Sequence, residues 1–290
     1  MIDDGTRALL LKPRWTDPVD LFIGDIIEYD MKDGGLSIIK EEKLLPPRRI
    51  SMLEKIPKGL ERDMAVGKLK YDKDPSVRDI GKRLEKLFGK YRVGFGSVNN
   101  LTTDSIFSIK RDAVFLKHYV DQTQIGEYIN FREKHRYDIY ILLGKDELIT
   151  NYQTRHMTYE VYFNTSDGDI AFKGIGDDLV EKYHMDGIVT VVKKYLRFIS
   201  QFDYVAATKY MVRIIDDYKF FRLPIAYYRE FNGDSSYKLN VDGKVYETEE
   251  ADLSISQYLD IRYNFNHLLV PMLNMASLGV GKGQQSNKTR

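Results

Sequence analysis

The sequence predicts an α+β fold, in which an antiparallel sheet and a set of helices occupy different stretches of the chain. Three observations lead to this prediction. Residues 21–29 form a largely apolar, Ile-rich stretch of strand length. In residues 36–91 the apolar positions recur with the period of a helix. From Ser105 the apolar positions follow the period of strands, before helices return. A doubly wound fold would instead alternate strands and helices regularly.

Composition bounds the class of protein. The 290 residues suffice for one or two domains, and 43% apolar and 12% aromatic residues are typical of a soluble globular protein. The absence of cysteine excludes disulfides, Cys-ligated zinc and thiol catalysis, and is compatible with a reducing cytoplasm. The five histidines show no HxxxH spacing, so no His-rich metal site is expected.

Charge and hydropathy bound the partners. No apolar run is long enough to span a membrane and the N-terminus lacks a signal-peptide pattern, so we expect a cytoplasmic protein without a membrane partner. A net charge of +1 argues against binding of nucleic acid through bulk charge. Residues 40–92 nevertheless carry sixteen Lys or Arg against nine Asp or Glu. This excess is typical of a solvated helical face, and it also fits a positive wall that faces phosphates.

The first half of the chain reads as a strand followed by helices. Residues 1–20 predict a loop, Leu21–Tyr29 a buried strand, and Leu36–Leu45 a helix between the Gly34–Gly35 break and two prolines. Asp74 before Pro75 is a typical helix cap. Three further helices are predicted at Arg48–Lys55, Lys58–Tyr71 and Pro75–Tyr91. The end of this helical region is indicated by Gly94, Gly96 and Asn99–Asn100.

The second half reads as strands followed by helices. Ile106–Lys110 and Asp112–Lys117 predict a hairpin. Three more strands follow, near Glu127–Arg132, Tyr137–Leu143 and Met157–Phe163. The predicted helices are Asp177–Phe202, Ala206–Phe221 and Ser256–Leu273. Asp242–Gly243 signals a hairpin within Tyr237–Glu247, and the Gly/Lys-rich tail at residues 279–290 predicts disorder.

Two aspartates stand at the ends of apolar strands. Asp30 closes the segment FIGDIIEYD, and Asp112 lies at the bend of IFSIKRDAVFL. Two carboxylates on adjacent strands are the minimum needed to hold two Mg²⁺ ions around a transferring phosphoryl group. Taken singly, each aspartate is also typical of a turn or strand-end cap.

Four segments resemble the palm domain of family B DNA polymerases, in the order of that family. Asp30–Ile39 (DMKDGGLSII) matches the spacing of the motif D-x-x-S-L-Y-P-S-I-I, and Ile109–Phe115 (IKRDAVF) resembles G-D-T-D-S-V-F. Glu133–Tyr137 (EKHRY) is similar to K-K-R-Y, and Ala171–Gly174 (AFKG) to x-V-K-G. The resemblance covers a little over half the chain and leaves its C-terminal part unmatched.

The resemblance implies a minimal, divergent polymerase, of phage or mobile-element type, with a polymerase-like palm. In such a palm Asp30 and Asp112 would bind Mg²⁺ or Mn²⁺ as catalytic carboxylates, and Lys58 and Arg62 would grip the nucleotide. The residues that would contact the primer–template backbone are Arg136, Tyr137 and Lys173. The implied division is an N-terminal extension (1–20), a palm-like domain (21–45 and 101–175), a helical fingers-like insert (46–100), a thumb-like helical region with a hairpin (176–278) and a disordered tail (279–290).

The chain departs from the family at three places. Lys110 and Arg111 replace an aspartate and a threonine, which puts positive charge beside the proposed metals. Gly35 stands where the family has a tyrosine over the sugar, and Lys58–Gly67 keeps little of the fingers motif. Lys58 and Arg62, four apart on one helical face, are also typical of a solvated surface.

Three hypotheses remain open. The first is a polymerase-like nucleotidyltransferase that acts on nucleic acid and nucleoside triphosphates, favoured by acidic residues at both metal positions. The second is a catalytically inactive palm that binds nucleic acid or serves as a subunit of a replication or defence assembly with a protein partner, favoured by Lys110 and Arg111. The third is a structural protein whose aspartates are strand caps, favoured by the near-neutral charge.

Overall fold

The computed structural model describes residues 2–150, 153–173, 186–219, 238–241, 244–247 and 269–286. The chain folds as two compact units. Unit 1 comprises residues 1–18 and 24–136, and unit 2 comprises residues 19–23 and 137–290. Each unit combines antiparallel strands with helices, so the α+β prediction is confirmed. The predicted division into palm-like, fingers-like and thumb-like regions stays a prediction.

Unit 1 begins with a helix, where the sequence predicted a loop. Helix α1 spans Asp4–Leu11, and Asp3 caps it by accepting a hydrogen bond of 2.8 Å from the backbone N–H of Thr6. A helix of eight residues is marginal in isolation, so packing must stabilise it. Its Leu10 side chain is fully buried, against Gly96 of a later helix. Strand β1, Arg14–Thr16, follows.

Three longer strands form the sheet of unit 1. Strand β2 spans Leu21–Met31, β3 spans Ile106–Lys110 and β4 spans Ala113–Leu116. All neighbours pair antiparallel in the order β1-β3-β4-β2. The predicted first strand and the predicted hairpin are therefore confirmed. Asp112 and Arg111 form the tight turn between β3 and β4.

Four helices follow β2 in unit 1. They are α2 (Gly34–Glu41), α3 (Pro47–Lys55), α4 (Leu60–Lys68), which continues as a 3₁₀ turn at Leu69–Tyr71, and α5 (Pro75–Val98). The Asp74 cap is confirmed, since its Oδ1 accepts a hydrogen bond of 2.9 Å from the N–H of Ser76. Helix α5 runs on through Gly94 and Gly96, contrary to the prediction. A Cβ on Gly96 would lie 2.4 Å from Cδ1 of Leu10, so this glycine lets α1 approach α5.

An apolar core joins the helices of unit 1 to its strands. Phe95 of α5 stacks on Phe131 with ring centroids 4.5 Å apart, and it also contacts Tyr29 of β2. Ile38 and Ile39 of α2 are fully buried in the same cluster. Burial of such side chains stabilises the fold by about 1.5–3 kcal/mol each. The core therefore holds α2 and α5 firmly against β2.

Unit 2 contains the remaining strands and helices. Strand β5 spans Phe131–Thr150, with residues 131–136 in unit 1, and pairs antiparallel with β6 (Gln153–Phe163), which pairs with β7 (Ile170–Lys173). The strand predicted near Glu127–Arg132 is wrong in extent, since Gln124 and Asn130 form an isolated bridge and β5 begins at Phe131. The later elements are α6 (Asp186–Ser200), α7 (Tyr204–Lys219), β8 (Lys238–Val241), β9 (Lys244–Glu247) and α8 (Val270–Ser286).

The C-terminal segment differs from its prediction. Helix α8 runs to Ser286, so the tail predicted to be disordered is helical over residues 279–286. Each residue added to a packed helix gains a hydrogen bond. Gly279 also lets Tyr204 approach, because a Cβ there would lie 2.3 Å from its ring. Residues 287–290, the predicted turn at 242–243 and most of the predicted helix Ser256–Leu273 lie outside the described residues.

Among the described residues, no helix combines the length and the apolar character needed to cross a bilayer.

Candidate functional site

The structure brings Asp30 and Asp112 together in unit 1. Asp30 lies in β2 directly opposite Ala113 of β4, the residue that follows Asp112. The backbone N–H of Met31 donates a hydrogen bond of 3.0 Å to the carbonyl of Asp112. Asp30, near the end of β2, and Asp112, in the turn that precedes β4, therefore lie side by side, as the sequence predicted, while their catalytic role stays a prediction.

The two carboxylates influence each other electrostatically. Burial raises the pKa of Asp112, and the negative charge of Asp30 adds to the rise, which brings this pKa to about 6. The guanidinium of Arg111 acts in the opposite direction. Two nearby carboxylates resist joint ionisation unless a cation lies between or beside them. The pair thus favours a cation.

One such cation is the ammonium group of Lys134. Its Nζ lies 3.4 Å from Oδ2 of Asp30 and 3.8 Å from Oε1 of Glu28, whose side chain is only 7% exposed. Burial works to lower the pKa of Lys134, but the charges of Asp30 and Glu28 outweigh it and leave this pKa raised. Asp112 acts in the same direction. Lys134 therefore stays charged beside both aspartates.

A buried arginine holds the turn that carries Asp112. The side chain of Arg92 is fully buried and donates hydrogen bonds to the carbonyls of Leu10 at 2.8 Å and Lys12 at 2.7 Å, as well as to the carbonyl of Arg111. Burial lowers the pKa of Arg92 to about 10, so the guanidinium is charged at neutral pH. Arg111 itself has φ +50°, and the hydrogen bond from Arg92 to its carbonyl helps to hold this conformation.

The two basic residues before Asp112 are engaged elsewhere. Nζ of Lys110 donates a hydrogen bond of 3.0 Å to Oγ1 of Thr16 in β1. Nε of Arg111 lies 3.3 Å from Oε1 of Glu85, and its guanidinium stacks over the ring of Phe88. The positive charge that the sequence placed beside the aspartates is thus partly directed towards β1 and α5.

Lys58 and Arg62 converge on Asp33, three residues after Asp30. Oδ2 of Asp33 lies 3.6 Å from Nζ of Lys58 and 3.7 Å from Nη1 of Arg62. Asp33 adopts φ +50° at the start of α2 and makes no side-chain cap. The two cations therefore lie at the N-terminal end of α2, and their predicted role in nucleotide binding stays a prediction.

The start of α2 also approaches Asp112. A Cβ on Gly34 would lie 3.3 Å from Oδ2 of Asp112 and 3.0 Å from the ring of Phe88. Only a residue without a side chain fits there without a shift of its neighbours. Gly34 and Gly35, which the sequence predicted to be the break between the first strand and a helix from Leu36, are the first residues of α2. They let this helix start beside the carboxylate.

The three residues predicted to contact nucleic acid have different surroundings. In unit 1, Arg136 pairs with Glu133 at 2.6 Å and lies over the ring of Tyr119. In unit 2, Tyr137 is 3% exposed and packs against Tyr162, while Lys173 of β7 lies opposite the buried Glu160 of β6. Nothing here tests their role, which stays a prediction.

Sequence reasoning missed Lys134 and Arg92 as part of this site. Lys134 stands within the EKHRY segment, next to residues that were singled out, so its basic character was the available signal. Arg92 lies in a run of helical, mixed-charge sequence that carries no signal of burial.

Asp30 and Asp112 are the candidate ligands for Mg²⁺ or Mn²⁺, whose binding stays a prediction. Among the described residues, no group of three or more His, Asp or Glu side chains is placed to hold a metal ion. Mg²⁺ commonly binds through one or two carboxylates together with waters and substrate phosphates, without a complete protein cage. Asp30 and Asp112 are two carboxylates of the kind used in that mode, and burial together with the charge of Asp30 raises the pKa of Asp112.

Comparisons with known proteins add one family and one structural likeness. A family model described as "Bacteriophage PBS1 gene 130 protein" matches residues 21–277, in agreement with the expected phage type. No curated protein matches the sequence. The similar solved structures include the family B DNA polymerase from the hyperthermophilic archaeon Pyrobaculum calidifontis, with a TM-score of 0.42 and 11% identity over 90% of this chain. This chain spans 47% of that polymerase, and a likeness at this level carries no functional argument.

Proposed function

This chain belongs to the bacteriophage PBS1 gene 130 protein family, and we propose that it is a polymerase-like nucleotidyltransferase that extends nucleic acid by two-metal phosphoryl transfer. One observation carries the proposal. Asp30 near the end of β2 lies beside Asp112 in the turn before β4, with the pKa of Asp112 raised by burial and by Asp30. Perturbed carboxylate pairs of this kind are found preferentially at functional sites.

Each residue near the pair has a role in the proposed reaction. Asp30 and Asp112 would hold Mg²⁺ or Mn²⁺, which when bound supplies positive charge to the phosphoryl oxygens and to the attacking hydroxyl. Arg92 fixes the turn that carries Asp112, so that this carboxylate needs little reorganisation. Lys134 would compensate part of the negative charge of Asp30 in the absence of a metal.

Nucleotide and nucleic acid would contact other parts of the chain. We assign Lys58 and Arg62 to the nucleotide, because both cations lie at the N-terminal end of α2, which follows Asp30. We assign Arg136 and Lys173 to the primer–template backbone, on the resemblance of their segments to family B polymerases. Tyr137 of the same motif is 3% exposed, so its role would be to support the segment. Phosphate contacts of this kind position a substrate without reading its sequence.

Incorporation of nucleotides into a primed template tests the proposal. Wild type is expected to extend a primer with Mg²⁺ or Mn²⁺, and Asp30→Asn and Asp112→Asn each to abolish extension. Asp25→Asn is the matched control, because Asp25 is an exposed aspartate on the same strand as Asp30. Absence of incorporation by wild type with DNA and RNA templates and both metals would overturn the proposal.

A second candidate is a catalytically inactive palm that binds nucleic acid or joins a replication or defence assembly. The ion pair between Lys134 and Asp30 favours it, because a resident ammonium supplies the positive charge that a metal would bring. In this case single-stranded nucleic acid binds with an affinity that falls steeply with salt. Asp30→Asn and Asp112→Asn would leave that affinity unchanged, and no metal would be needed. Salt-independent or undetectable binding would contradict this candidate.

A further inference from the structure

A basic cleft lies beside the turn that carries Asp112. Its volume is about 510 Å³, and it is enclosed by residues of unit 1 alone. Four basic side chains line it, from β1, the 3₁₀ turn, α5 and the β3–β4 turn: Arg14, Lys70, Lys82 and Arg111. Four elements that are separate in sequence thus bring their positive charge to one concave surface.

The charge of the cleft is poorly balanced by its own residues. Glu85 is the one carboxylate among the described lining residues, and its Oε1 already lies 3.3 Å from Nε of Arg111. Like charges gathered on a concave wall repel each other and focus a positive potential into the space between them. An anion in the cleft would relieve that repulsion.

Size and lining narrow the class of anion. Cavities of about 300–1,000 Å³ hold small-molecule ligands and cofactors. Lys and Arg side chains bind phosphate through charge-assisted hydrogen bonds, and three lining cations beyond the Arg111–Glu85 pair match the charge of linked phosphates. Val66 and Leu84 also line the cleft, but both are buried, so the cleft offers a nucleobase little apolar surface.

We propose that this cleft is a binding site for linked phosphate groups, those of a nucleoside di- or triphosphate or of an inorganic polyphosphate. It is formed by residues other than Lys58 and Arg62. It adjoins the aspartate pair, since Arg111 directly precedes Asp112 and Val66 packs against Gly35 of α2. A role of the cleft in supplying substrate rests on the proposed function, whereas binding of linked phosphates does not.

Titration calorimetry in the presence of EDTA tests the site without metal. The probes are ATP and inorganic tripolyphosphate, each titrated into wild type, Lys70→Gln, Lys82→Gln and the double variant. Each single substitution is expected to weaken binding about fivefold, and the double variant about 20-fold or more. Lys73→Gln and Lys86→Gln are matched controls, since both are exposed lysines near the cleft that do not line it. Thermal unfolding checks that every variant is folded.

The two probes distinguish the source of the phosphate. Equal affinity for both indicates recognition of the phosphates alone, and tighter binding of ATP indicates that the nucleoside is recognised as well. No binding of either probe overturns the proposal, and so does equal weakening by the cleft and control substitutions. Asp30→Asn is expected to keep binding in EDTA. If wild type binds the probes but does not extend a primer, the proposed function is wrong and the phosphate site of the cleft is supported. If wild type extends a primer but binds neither probe, the phosphate site is wrong and the proposed function is supported.

Discussion

The ammonium group of Lys134 lies 3.4 Å from the carboxylate of Asp30. Asp30 belongs to β2, the strand beside the turn that carries Asp112. The same ammonium is 3.8 Å from the buried Glu28. A cation of the protein itself therefore stands where a divalent ion would be attracted, and it compensates charges that would otherwise repel. Lys134 is therefore the residue at which charge compensation and the proposed metal binding can be tested together.

Replacing Lys134 by Met is expected to strengthen divalent metal binding. The substitution removes a competing positive charge while keeping an apolar stem, so the affinity for Mn²⁺ should rise about fivefold, equivalent to about 1 kcal/mol. Without metal the variant should be less stable, because Asp30 and Glu28 lose their partner. Titration calorimetry with Mn²⁺ and thermal unfolding in EDTA measure the two effects.

Lys117→Met is the control for this prediction. Lys117 also pairs with an aspartate, Asp17, at 2.7 Å, but it follows β4 at the end opposite Asp112. It should therefore alter stability without altering the affinity for Mn²⁺. Unchanged or weaker Mn²⁺ binding by Lys134→Met would show that the lysine does not compete with the metal.

Asp112 should make the metal-free protein less stable as pH rises. Its pKa is raised from 3.8 to about 6 in the folded state, so between these values the native chain holds a proton that the unfolded chain has released. Through this group, the free energy of unfolding is therefore higher at low pH. It falls as pH rises from about 4 to above 6, by an amount on the order of 3 kcal/mol.

Urea unfolding at several pH values in EDTA measures this dependence. Asp112→Asn should remove the part of the pH dependence between pH 4 and pH 6, and so become more stable than wild type at pH 7. Asp30→Asn should remove only some of the pH dependence between pH 4 and pH 6, because burial is the larger cause of the raised pKa of Asp112. Identical pH profiles for wild type and Asp112→Asn would refute the assignment.

Arg92→Leu is expected to destabilise unit 1 strongly. The substitution leaves the carbonyls of Leu10, Lys12 and Arg111 without their buried donor, at a cost of about 1–3 kcal/mol for each unsatisfied group. Arg92→Lys should recover part of the loss, since a lysine donates from one nitrogen rather than three. Arg83→Leu, at an exposed position of the same helix, should cost less than about 0.5 kcal/mol. Comparable losses of stability for Arg92→Leu and Arg83→Leu would show that the hydrogen bonds of Arg92 do not stabilise unit 1.

Two glycines near the site should respond in opposite ways to alanine. A Cβ on Gly35 of α2 would lie 2.7 Å from Cγ1 of Val66, so Gly35→Ala should destabilise by about 1–3 kcal/mol through overpacking. Gly67 of α4 has open space, so Gly67→Ala should stabilise by up to about 1 kcal/mol through helix propensity. Chemical denaturation measures both. Combining Gly35→Ala with Val66→Ala should restore part of the loss, and failure to do so would locate the strain elsewhere.

Elements with local signals were predictable. Strand β2 contains an Ile-rich apolar stretch, and α5 starts where Asp74 precedes Pro75. Helix α1 escaped prediction because it is short and depends on burial of Leu10 against Gly96, far away in sequence. The same reason explains why α5 continues past its glycines, since packing outweighs their low helix propensity.

The sequence by itself determined the order of strands and helices and the presence of Asp30 and Asp112 at strand ends, because periodicity and turn chemistry act between near neighbours. Only the tertiary structure brought Lys134 to Asp30, Arg92 to the carbonyl of Arg111, and four basic residues to one cleft. Such contacts join residues from separate elements, and the direction of a long charged side chain follows from the burial and the charges that it meets after the chain has folded.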